Sequence, residues 1–124
     1  MNFDFQDGNG NGLVPAHRHT NPDGSEGGWV AETAKVEKEC YVSPNALVFG
    51  SALVFGTARV SGDARVCGTA QVYGNAQVSG TARVFGTARV SENAKVYGNA
   101  RVYGDARVCG DAQVYGNARV CEST

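Results

Sequence analysis

Two histidines, His17 and His19, flank Arg18, and they are the only histidines in the chain. In an extended segment, residues two apart point to the same side, so the two imidazoles are placed to share a metal ion or a substrate. Two imidazoles do not complete a tetrahedral site, and Asp4, Asp7 or Asp23 would have to add to them. Asp7 also opens the run Asp7-Gly8-Asn9-Gly10-Asn11-Gly12, the first half of a calcium loop, and Val14 fits the apolar place that follows. The twelfth place of such a loop requires a bidentate Glu and here holds Arg18, a cation. A Gly/Asn turn is therefore the better reading of that run. Imidazole is also the commonest general base, which makes His17 and His19 the catalytic candidates if the chain is an enzyme.

The second set of candidates comes from spacing. From Gly27 to Glu122 the chain divides into sixteen hexapeptides, typified by Thr81-Ala82-Arg83-Val84-Phe85-Gly86. The fourth place is Val in all sixteen and the second is Ala in fourteen, with Gly28 and Cys40 the exceptions. Ala-x-Val with a polar x is period-two alternation, so each hexapeptide holds one short strand with Ala and Val facing in. Gly at the sixth place and Thr, Asn, Asp or Ser at the first turn the chain. Gly at every sixth residue excludes a helix. Eleven of the sixteen sixth places are Gly, which suggests a positive φ, yet Pro44 shares that column and has its φ fixed near −65°.

One turn per six residues with a constant inward pair describes a coil. The period and the aliphatic and small columns are similar to the hexapeptide-repeat family, with Val60 and Ala64, and Val66 and Ala70, as typical pairs. The resemblance implies an all-β fold: a left-handed parallel β-helix, a triangular prism of about five coils. The expected organisation is an irregular N-terminal arm over 1–26, the β-helix over 27–122 and a tail at 123–124. At ~4.8 Å per coil the rod would be about 25 Å long.

Residues eighteen apart then stack. The first face carries a ladder of Arg65, Arg83, Arg101 and Arg119 beside a column that includes Phe49, Phe85 and Tyr103. Like charges at strand spacing repel and need acidic partners, a bound anion or solvent. An apolar column beside arginines is the composition of a protein contact, so this face is the expected binding face. Leu47, Phe49, Leu53 and Phe55 form a further apolar cluster in the early coils, and either the arm, through Phe3, Phe5, Leu13 or Val14, or a neighbouring subunit is expected to cover it.

Composition narrows the function. With 124 residues there is room for one domain. A formal net charge of −1 gives no bulk attraction to nucleic acid or to an anionic membrane. No apolar run approaches the ~20 residues of a membrane span. The N-terminus lacks the pattern of a signal peptide, and a cytoplasmic protein is expected. Cys40 faces in, whereas Cys67, Cys109 and Cys121 face out. Cys67 and Cys121 share a face about 14 Å apart, and no pair within the chain can form a disulfide.

Many hexapeptide-repeat proteins are acyl-CoA-dependent transferases, with a catalytic His at the cleft between subunits of a trimer. The coils here hold no His and no inserted loop, so on that reading only His17 or His19 serves, with acyl-CoA as cofactor. The γ-class carbonic anhydrases need three zinc-binding His at coil positions, which are missing. Ice binding needs flat Thr arrays, which Thr57, Thr69, Thr81 and Thr87 do not form. Val14–His19, Gly27–Ala31 and Ser43–Ala46 resemble a set of small hexapeptide proteins common in bacteria and phage. The expectation is a non-enzymatic oligomeric scaffold or protein-binding module without a cofactor. It would be a homo-oligomer, trimer first and dimer second, phage-encoded and acting on a host protein. The alternative is the acyltransferase.

Overall fold

A computed structural model of the chain describes residues 2–4 and 13–121. All of its regular structure is β: β1 (Asn2–Asp4), β2 (Leu13–Thr20), β3 (Glu26–Ala31), then β4 to β18 at six-residue spacing, from Lys35–Val36 to Arg119–Cys121. The sixteen strands from β3 onward correspond to the sixteen hexapeptides. Each pairs in parallel with the strand eighteen residues away: Arg65 with Arg83, Arg83 with Arg101, and Arg101 with Arg119 on one sheet. Three parallel sheets result, one per side, and the polypeptide coils through them about five times.

From Ser51 on, backbone hydrogen bonds join one coil to the next at three points per hexapeptide. Thr57, Arg59 and Ser61 donate to the carbonyls of Gly74, Ala76 and Val78. The interior is the Ala and Val column pair. Twelve valines from Val30 to Val102 are fully buried, each contributing roughly 1.5–3 kcal/mol.

The turns resolve the glycine column. From Ala34 on, the N–H of the second-place residue, Ala58 apart, bonds back to the carbonyl three residues earlier, as Ala64 does to Ser61. The sixth-place residue is therefore the second residue of a four-residue turn. From Gly50 on, the eleven glycines there have φ between 62° and 72°. The first-place residues that follow do not have positive φ, which is the type II′ pattern. Pro44, Lys38 and Glu32 have no positive φ, so the first coil turns by another route, and Pro44 takes a place where its ring is pre-set. Along the corners the first-place side chains bond upward: Thr81 to Asn99, and Asn99 Nδ2 to Asn117 Oδ1 at 3.3 Å.

The arm is more regular than its sequence suggests. β1 and β2 are antiparallel, and β2 is antiparallel to β3, so both extend the first sheet beyond the first coil. Phe3 and Val14 pack with Trp29, Leu47 and Phe49, and Phe3 stacks on Trp29 with ring centroids 4.9 Å apart. The fold-over onto Leu47 and Phe49 is as expected. Leu53 and Phe55 are not part of this cluster, because they lie on the second sheet, where Phe55 instead stacks on Tyr73. Phe5 lies outside the described residues.

Candidate functional site

β2 separates the two histidines by task. Val14 and Ala16 join the outer apolar cluster, and Arg18 lies over the Trp29 ring at 5.5 Å. His17 and His19 alternate with these residues and so face the mouth of the coil. A register shift between Arg18 and Thr20 separates their surroundings. His17 is exposed, and its Nδ1 donates to Glu32 Oε2 at 2.8 Å. His19 is 6% exposed, and its Nε2 donates to the Cys40 carbonyl at 2.7 Å.

The His19 contact has a structural purpose. In every later coil, the carbonyl of the second-place residue accepts from the coil before it, as Ala58 O accepts from Tyr41 N. Cys40 has no preceding coil, and His19 supplies the missing donor. Asn21 completes the repair: its Oδ1 accepts from Val42 N at 2.9 Å, and its own backbone is held in a tight turn with Ser25. His19 and Asn21 thus stand in for an absent rung. His17 and His19, named together as candidates, are not brought onto one partner: His17 bonds Glu32 and His19 bonds the Cys40 carbonyl. Among the described residues no group of three or more His, Cys, Asp or Glu could hold a metal ion. Asp7 and the calcium-like run lie outside the described residues.

Gly27 and Gly28 let the chain enter this cap. A Cβ on Gly28 would come within 1.9 Å of Ala46 O, which explains why this second place is not Ala. Asp23, in the hairpin turn, accepts from the Ser25 hydroxyl at 2.6 Å and from Ser25 N at 2.9 Å, and these bonds lower its pKa. Burial pushes the Cys40 thiol up to about 11, so it is a neutral packing group. Cys40, Cys109 and Cys121 form no disulfide.

The first face keeps the expected ladder. Arg83, Arg101 and Arg119 are exposed and Arg65 is half-buried. Among the described residues none of the four has a carboxylate within 4.0 Å. Two of the turn acids are engaged elsewhere: Asp105 accepts from Thr87, and Glu92 Oε1 accepts from Gly110 N at 2.9 Å. Beside the ladder, Phe85 and Tyr103 stack at 5.1 Å and 5°, and Tyr103 is pushed up by its hydrogen bond with Cys121. Phe49, named with this face, is 7% exposed and belongs to the cluster under the arm.

Coils of stacked parallel strands with one constant inward pair define a β-solenoid repeat protein. A family profile described as YdcK Beta solenoid repeat matches residues 94–110 and 112–124, so the last rungs are similar to that family's repeat. No curated protein and no solved structure matches the chain. Among the described residues no helix is long and apolar enough to cross a membrane.

Proposed function

We propose that the chain is a non-enzymatic oligomeric scaffold whose first face binds protein. The observation that carries this is the ladder Arg65, Arg83, Arg101 and Arg119, in register and without a carboxylate within 4.0 Å among the described residues. Its charge asks for an acidic counterpart, and the half-buried Phe85 and Tyr103 beside it supply apolar contact area. The assembly on this reading is a trimer, with a dimer second. Cys40, Cys109 and Cys121, which form no disulfide, fit a reducing, cytoplasmic setting. A phage origin, with a host protein as the target, follows the resemblance of the Val14–His19 arm, and no cofactor is needed. The test is the double charge reversal R83E/R101E. Its circular dichroism should match the parent's, while its mass by light scattering or its capture of partner protein falls. A variant that keeps both would overturn the reading.

A second reading rests on the His17–Glu32 pair. Glu32 orients the exposed imidazole through Nδ1 and leaves Nε2 free as a general base. As an acyl-CoA-dependent transferase, His17 would take the proton of an acceptor hydroxyl or amine as that atom attacks the thioester carbonyl and CoA leaves as thiol. His19, engaged as a cap, has no part in it. CoA-dependent acyl transfer that drops in both H17A and E32Q would support this reading, and its absence from the parent protein would remove it.

A further inference from the structure

We infer that the partner of the first face is an acidic amphipathic α-helix, laid along the solenoid axis. This rests on the proposal that this face binds protein. Its carboxylates meet the arginine ladder and its apolar stripe meets the Phe85–Tyr103 column.

Three features of the face lead there. The first is period. Arginines on successive coils are ~4.8 Å apart, so the four span about 14 Å. A helix presents one stripe every 5.4 Å, about 16 Å over three turns, a mismatch that arginine side chains absorb. A β-strand repeats a side every ~6.7 Å, about 20 Å over the same count. Duplex DNA carries a charge every ~1.7 Å of axis, far denser than the ladder. The second is width. The arginine and aromatic columns are two residues apart along each strand, about 6.6 Å, and a helix 10–12 Å across covers both.

The third is what the surface refuses. Phe85 and Tyr103 are stacked on one another at 5.1 Å, so one face of each ring is already closed to a nucleobase. The coils of a second copy of the chain hold no column that matches the ladder charge for charge. None of its outward columns places two carboxylates on successive coils: Asp63 is followed by Thr81, Glu92 by Gly110, and Glu37 by Phe55.

The test uses a fluorescent helix-forming peptide of about four turns, with Glu on one stripe and Leu beside it. Its controls are a scrambled isomer and a single-stranded dT oligonucleotide of equal charge. Anisotropy against the whole protein should show saturable binding of the helical peptide, at least about tenfold tighter than either control. R83E/R101E should abolish that binding, and F85A should weaken it several-fold with the circular dichroism unchanged. Equal binding of the scrambled isomer or the oligonucleotide would overturn the inference, as would no binding to the parent. If the peptide fails but R83E/R101E still loses partner or oligomer, the inference falls and the scaffold stands. If the charge reversal changes nothing, both fall.

Discussion

At the residue scale the most informative side chains are those that break the repeat. His19 looks like chemistry in the sequence and, together with Asn21, acts as a backbone substitute in the structure. Their alternation with Val14, Ala16 and Arg18 is strand-like, but the inward residues are polar because they close a mouth and fill no core. That is why an apolar-periodicity reading passes over β2. H19A should leave the Cys40 carbonyl unpaired and cost about 1–3 kcal/mol in urea unfolding. A substitution at an exposed coil residue such as Q77A should cost much less, and equal losses would refute the cap. Cys40 gives a pH signature. Its thiol, raised from 9.0 to about 11, holds its proton in the folded chain after the unfolded chain has lost it. Stability from this group is therefore whole below about pH 9 and falls as pH rises toward about 11. C40A copies the residue of fourteen other repeats and should flatten that alkaline fall relative to the parent. An unchanged fall in the variant would place its cause in another group.

At the element scale the unit is one strand and one turn. The strands were legible because Val60, Val66 and every other fourth-place residue carry the same instruction, and register follows from the count of eighteen. The turn was only half legible. Its glycines answer to two demands, a positive φ and the close approach of the next coil. Gly68 has φ 68°, and a Cβ there would lie 2.9 Å from Gly86 N and O. Gly110 has φ 63° and nothing within 4 Å. Glu92, the one non-glycine with positive φ among the described residues, adopts φ 59°, and its carboxylate caps Gly110 N. G110A should thus lose only the left-handed penalty, about 1–2 kcal/mol, while G68A should lose more through the added crowding. Denaturant midpoints measure the difference. Equal losses would mean that φ alone selects glycine.

At the scale of the whole molecule, a solenoid is close to one-dimensional, and each rung meets only its neighbours. Faces are therefore set by counting, and they can be moved by counting. Deleting Thr69–Gly74 removes one hexapeptide and rotates everything after it by one side. Arg83 then stacks on Arg59, eighteen places before it in the shortened chain, and Arg101 and Arg119 follow. A four-arginine ladder is rebuilt on another side, with Phe85 and Tyr103 still beside it, but no longer in line with Trp29 and Phe49. Deleting five residues instead would set the coil after the deletion one place out of register with the coil before it, Val opposite an outward residue across the joint, and should cost far more stability than the six-residue deletion. The six-residue deletion should keep the β-sheet signature and bind the acidic helical peptide within a few-fold of the parent. If it folds and the peptide no longer binds, the ladder and its aromatic column are not sufficient. The recognition surface would then have to run on into the cluster of Phe3, Trp29 and Leu47, where the arm seals the first coil.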